Sequence, residues 1–257
     1  ALETDIDTYL ALTQPAGSHW EKTAKNYATA MKLFRVKQQI PLLLTAKRQL
    51  DRSQFEQVLR ACWVVAFRYN VIGNLPPNEQ ERVYSQAAQQ LNQASGKAHD
   101  AINKLQAIYP SDDVFKASFT DKTLRTTDSS KNKLVRYILC VLERQHSGMD
   151  LDFDSASLTV EHILPQNPHV GWELFNEDDL EQFTYRIGNM ALLHTNANKQ
   201  LENVPYHEKR PILQASNIGL TQKLAENNQD WTPERVTQRQ ADLAKLACAV
   251  WRIDQLS

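Results

Sequence analysis

Glycine is scarce in this chain: seven of 257 residues, at positions 17, 73, 96, 148, 171, 188 and 219, against the roughly 7% usual in globular proteins. So few residues free to adopt positive φ cannot supply the many tight turns of a β-sandwich or barrel. Abundant Gln and Ala favour helix instead, and a mainly α-helical protein is expected. The glycines are also too scattered to form G-x-G-x-x-G or a P-loop, so no nucleotide-cradling loop is read.

Apolar spacing places the helices. Phe55, Val58, Leu59, Cys62, Trp63, Ala66 and Phe67 form an i, i+3, i+4, i+7 stripe, with Ser53 and Glu56 expected as its capping box. Tyr27, Met31 and Phe34 mark an earlier helix, expected to end at the Ile40-Pro41 step. Pro76-Pro77 opens a helix over 78–94, and another over about 130–144 buries Leu134, Tyr137, Ile138, Val141 and Leu142. Near 146–157 the sequence turns polar, and 158–163 then reads as a short strand closed by Pro165. A second short strand is expected over 186–193 and a helix from Thr195 or Asn196. Thr232-Pro233-Glu234 opens a last helix whose buried face includes Val236, Leu243, Ala247 and Val250.

Several classes are excluded. The longest apolar run, Ala61 to Phe67, is far short of the roughly 20 residues of a membrane span. Cys62, Cys140 and Cys248 are odd in number and form no C-x-x-C, so a structural zinc domain is disfavoured and a cytoplasmic setting is expected. The chain opens Ala-Leu-Glu, without Met or signal peptide, which is expected of a piece of something longer.

Charge divides the chain. Residues 1–145 carry 20 Lys/Arg against 14 Asp/Glu, a net of +6, and residues 146–257 carry 9 against 16, a net of −7. Lys22, Lys25, Lys32, Arg35, Lys37, Lys47 and Arg48 follow one another with no acidic residue between them. Such a run can hold a polyanion by counterion release, or can be an ordinary solvated helical face.

The stretch 158–210 carries the chemistry. His162 has an unperturbed pKa suited to taking a proton from water. Glu161 and the amide oxygen of Asn198 are hard oxygen donors suited to one Mg²⁺ or Mn²⁺ ion. Asn196 competes with Asn198 for that place. Adjacent strand residues face opposite sides, so Glu161 and His162 can serve one metal only at an irregular strand end, for which Pro165 gives an opening.

At these residues the sequence resembles a known family. Glu161-His162-Ile163-Leu164-Pro165-Gln166, Arg186-Ile187-Gly188-Asn189-Met190-Ala191-Leu192-Leu193 and Asn196-Ala197-Asn198-Lys199 look like the HNH (His-Me finger) nuclease domain of GmrSD-type restriction enzymes. The resemblance covers about 158–252. It implies a ββα-metal core wrapped by helices, with His162 as general base and Glu161 and Asn198 as metal ligands. Asn189 matches the structural Asn that ties the two-strand loop and orients His162, and the separation of nine between Asn189 and Asn198 favours Asn198 over Asn196. Lys199, Lys209 and Arg186 match positions that touch phosphate or support the site. The implied reaction is metal-dependent hydrolysis of DNA to 5′-phosphate and 3′-hydroxyl ends, in bacterial defence against foreign or modified DNA.

Two parts are expected: a basic helical domain over 1–145, holding DNA backbone through Lys22, Lys25, Lys32, Arg35 and Lys37, and the nuclease domain over 146–257. The D-G-Q-Q-R type signature of a nucleotide-dependent domain is lacking here, so such control is expected from an N-terminal domain or partner outside this chain. The competing expectation is a non-catalytic DNA-binding or protein-interaction module with a vestigial HNH site.

Overall fold

A computed structural model describes residues 2–93, 96–199, 201 and 203–256. The chain divides into two compact units, one of Ala1–Phe115 with Trp251–Ser257 and one of Lys116–Val250. This division falls well before the expected 145/146 boundary and returns the last residues to the first unit. The reason lies in α8 (Ser129–Ser147), which packs on both strands and on two later helices rather than on the helices before it.

The first unit contains α1 (Leu2–Thr13), α2 (Lys22–Phe34), α3 (Ile40–Gln49), α4 (Arg52–Val65), α5 (Pro77–Leu91) and α6 (Ala98–Lys104), and α7 (Asp112–Thr120) begins in it. The expected stripe on α4 is buried, but the helix starts earlier than Ser53. Asp51 is the cap, its carboxylate accepting from the Gln54 N–H at 2.9 Å, while Glu56 pairs along the surface with Arg52. α2 ends at Arg35, which takes a left-handed conformation with φ of 59°. Pro41 therefore opens α3 rather than closing α2, its missing N–H costing nothing in a first turn. The expected end of α5, residue 94, lies outside the described residues.

Beyond α4 the backbone widens into π-helix over Ala66–Ile72, and Arg68 turns into the interior. Its guanidinium lies between the Tyr109 and Phe115 rings, donates to the Pro110 and Trp251 carbonyls, and pairs with Asp112 at 2.7 Å. Trp251 stacks on Phe67 with ring centres 3.6 Å apart. Buried cations persist when every donor has a partner of this kind.

The second unit holds one antiparallel pair of strands, β1 (Leu158–His162) and β2 (Met190–His194), with Leu158 opposite His194 and His162 opposite Met190. Around them lie α8, α9 (Glu177–Phe183), α10 (Thr195–Asn198), α11 (Tyr206–Gln214), α12 (Gly219–Asn227) and α13 (Pro233–Val250). β2 begins later than expected because Ile187–Asn189 forms a single 3₁₀ turn. Ile163, Leu164, Ala191, Leu193, Leu213 and Trp231 belong to one buried apolar cluster. Val141 and Val250, expected inside, are half-buried.

Three polar groups lock the helices to the strands. Arg136 on α8 donates to the Ser155 and Leu158 carbonyls. Glu143, fully buried, accepts from the Gly219 and Leu220 N–H groups at 2.8 Å each and so caps α12, where the positive end of the helix dipole favours a carboxylate. Gln240 on α13 accepts from the Gly188 N–H and donates to the carbonyls of Phe119, Thr120 and Lys122. Gly188 is required at this contact: a Cβ there would collide with the Val236 carbonyl.

Candidate functional site

The site grows from the 3₁₀ turn between the strands. Asn189 is fully buried, and its side chain is saturated. Oδ1 accepts from the Leu164 N–H (2.8 Å) and Trp231 Nε1 (3.0 Å), and Nδ2 donates to the Leu164 (2.9 Å) and Thr184 (3.1 Å) carbonyls. The Asn189 carbonyl also accepts from the Ile163 N–H. One side chain thus joins the loop after β1, the approach to the turn and the start of α13. Arg239 completes the frame by donating to the Gly188 and Met190 carbonyls, at 2.6 and 2.7 Å.

At the end of β1, His162 Nε2 lies 2.9 Å from Thr126 Oγ1, and the Tyr185 ring meets the imidazole edge-on at 6.0 Å. Burial, with a smaller effect from the Lys209 charge, pushes the imidazole down to about 4, so the ring is neutral at neutral pH. Nδ1 has no hydrogen-bond partner among the described residues.

Glu161 is placed otherwise. Its carboxylate forms a buried ion pair with Lys209 Nζ at 2.5 Å, and Nζ also donates to the His162 carbonyl at 2.9 Å, over the face of Trp172. Burial raises the Glu161 carboxyl and lowers the Lys209 ammonium, and the pairing opposes both shifts. β1 pairs regularly through His162 and bends at Ile163 and Leu164, just before Pro165. In this arrangement the Glu161 carboxylate is engaged by Lys209 and the His162 ring by Thr126.

Of the two roles expected of Lys209, contact with phosphate or support of the site, its position fits support. With its side chain fully buried it offers no charge to a phosphate backbone. Tyr206 and Leu213, three before and four after it, are both buried, and that spacing sets Lys209 on the inner face of α11.

The remaining expected residues lie on other elements, α10 among them packing on both strands. Asn198 is half-buried on α10, with Oδ1 enclosed and unpartnered among the described residues; Lys199 beside it is exposed. Arg186 is half-buried, donates to the Thr120 carbonyl at 2.6 Å and lies over the Phe183 ring, which makes it a tie within the unit. Lys22, Lys32, Arg35 and Lys37 are exposed on α2 and the turn after it, and Lys25 is half-buried. These five belong to the first unit and are separate in sequence from the site of the second.

Among the described residues no three His, Cys, Asp or Glu side chains gather into a metal cluster. The expected donor pair fits a divalent ion only in part. The enclosed Asn198 oxygen is an acceptor in want of a partner, which suits a cation. The Glu161 carboxylate is already neutralised by Lys209.

The family model for the C-terminal domain of GmrSD restriction endonucleases matches residues 109–246, just over half of the chain. The chain belongs to this family. The matched GmrSD C-terminal domain contains Thr126, Glu161, His162, Asn189, Asn198 and Lys209, and membership ties the chain to a restriction-endonuclease role. No curated protein matches it. No helix among the described residues is long and apolar enough to cross a membrane.

Two consequences can be measured. Asn189→Ala leaves four buried groups without partners, and at about 1–3 kcal/mol for each such loss, softened by relaxation, the variant loses about 3–5 kcal/mol in urea unfolding. Asn189→Asp is at least as damaging, since it sets a carboxylate against two carbonyl oxygens; a loss below about 1 kcal/mol in either would contradict the anchoring role. The second consequence concerns acid. Between the ordinary imidazole value of 6.5 and about 4, the unfolded chain binds a proton that folded His162 refuses. Stability from this group is present above 6.5 and is lost as pH falls through that window. In EDTA, the unfolding free energy of wild type should drop more steeply between pH 7 and 4 than that of His162→Gln; parallel curves would refute the buried neutral imidazole.

Proposed function

We propose that this GmrSD C-terminal domain acts as a metal-dependent DNA endonuclease of the HNH type, hydrolysing phosphodiester bonds of foreign or modified DNA in the cytoplasm. The observation that supports this most is the neutral imidazole of His162, held by Thr126 at one nitrogen and without a partner at the other among the described residues. Such a ring serves as a general base at neutral pH. It takes a proton from water, the water oxygen bonds to phosphorus, and the P–O3′ bond breaks, the departing O3′ taking a proton from solvent, to leave 5′-phosphate and 3′-hydroxyl ends.

A single divalent ion, Mg²⁺ or Mn²⁺, would draw on the Asn198 oxygen; Glu161 would join it only by leaving Lys209. When bound, such an ion supplies charge stabilisation on the phosphoryl group and the leaving oxygen. Lys199 in the second unit, and Lys22, Lys25, Lys32, Arg35 and Lys37 in the first, supply charge for the DNA backbone. A nucleotide-dependent domain or partner, expected from the resemblance, would control when cutting occurs.

A second reading is favoured by the Glu161–Lys209 pair, which satisfies the carboxylate without any metal. On that reading the chain binds DNA or a protein partner and its HNH residues are vestigial.

Supercoiled-plasmid cleavage separates the two. With Mg²⁺ or Mn²⁺ the wild type should nick or linearise plain or modified plasmid, EDTA should abolish this, and His162→Ala should lose about 10²- to 10⁴-fold in rate. Asn198→Ala should need more metal for the same rate. Retained activity in His162→Ala overturns the assignment of the base. Binding without cleavage by the wild type on both substrates, unchanged by EDTA, supports the non-catalytic module.

A further inference from the structure

The segment between α7 and α8 carries a residue that the sequence reading passed over. Thr126 lies in the polar run Thr123-Leu124-Arg125-Thr126-Thr127-Asp128, yet it is buried, with 7% of its surface exposed. Its position is set from both sides. Upstream, the Leu124 N–H donates to the Tyr185 carbonyl at 2.8 Å and Thr123 bridges to Arg186. Downstream, Asp128 caps α8 by accepting from the Ser130 N–H. The Tyr185–Arg186 stretch leads directly into the Asn189 turn, so the same frame that anchors the strands also delivers the Thr126 hydroxyl to His162.

We propose that Thr126 is the positioning residue of the general base: its hydroxyl oxygen accepts a hydrogen bond from His162 Nε2–H and leaves the lone pair on Nδ1. A neutral imidazole carries one ring proton, and a hydroxyl can donate to Nε2 or accept from Nε2–H; acceptance is assigned because it alone leaves the lone pair on the open nitrogen. Here Nε2 has the hydroxyl at 2.9 Å, and Nδ1 has no partner among the described residues. Proton balance follows from this assignment. Nδ1 takes the proton from water, Nε2 keeps its own, and the ring becomes an imidazolium with Thr126 still accepting from Nε2–H. That hydrogen bond strengthens as charge develops on the ring, so its effect falls on kcat rather than on KM. The assignment rests on the nuclease reading, which needs the lone pair on Nδ1; the hydrogen bond supplies the contact between Thr126 and the ring.

The test uses the full chain labelled with ¹⁵N-histidine, with the His162 ring signals identified by their loss in His162→Gln. Long-range ¹H–¹⁵N correlations at pH 7 should show the Nε2–H tautomer in wild type and in Thr126→Ser, and a mixture of tautomers in Thr126→Val. Under cleavage conditions Thr126→Val should lose about tenfold to a hundredfold in kcat, with KM within about twofold, and Thr126→Ser should restore most of it. An Nδ1–H tautomer in the wild type overturns the proposal. So does a Thr126→Val variant with unchanged tautomer and rate. If the wild type cuts no DNA, the nuclease reading fails, while the ring spectrum still decides whether Thr126 orients His162. Loss of folding in Thr126→Val leaves the wild-type tautomer and the Thr126→Ser rate to decide it.

Discussion

The Asn189 carboxamide sits in the interior with both N–H groups and both acceptor positions of its oxygen engaged, so three segments distant in sequence share one polar anchor. An amide buried in this way is stable only while every partner stays in place. The β1 end, the 3₁₀ turn and the start of α13 are consequently held in one arrangement. Gly188 allows α13 to approach the turn closely, and Arg239 and Gln240 from that helix occupy the turn's carbonyls and N–H. A two-stranded sheet alone is marginal in water; here its register is fixed by side chains from helices that follow it.

The same frame holds the groups of chemical interest in unequal states of readiness. His162 is neutral and oriented, and the Asn198 oxygen lacks a partner among the described residues. Glu161, by contrast, is spent on Lys209. A buried ion pair adds little net stability over an apolar substitute, and its clearest use is in fixing one arrangement over others. In this fold it ties α11 to β1 and holds the backbone carbonyl of His162, so Lys209 stabilises the strand that carries His162.

Much of this was legible from residue spacing. The α4 stripe, the two short strands and the Thr232-Pro233 helix start all follow from periodicity and capping chemistry, because those features are local. The Gly188-Asn189 pair stood out as a motif, although only the packed structure shows that α13 requires the glycine. What the spacing did not reveal is local in two cases and tertiary in the others. Asp51 replaced Ser53 as the cap of α4, and Arg35 accepted a left-handed conformation that glycine or asparagine would adopt more readily. Between phosphate contact and support of the site, spacing alone left Lys209 open, and its burial on the inner face of α11 favours support. Thr126 lies 36 residues from His162 in a run of polar residues, where no periodicity marks it.

The central proposal is that His162 on β1 and the Asn198 amide oxygen on α10, unpartnered among the described residues, serve one ion-dependent site. Mn²⁺ titration followed by NMR tests this most directly, because the paramagnetic ion broadens only nearby signals. The account predicts that substoichiometric Mn²⁺ selectively broadens the Asn198 side-chain amide and the His162 ring signals together, and that Asn198→Ala abolishes the effect on His162. Broadening elsewhere in the chain, or of neither residue, would contradict it.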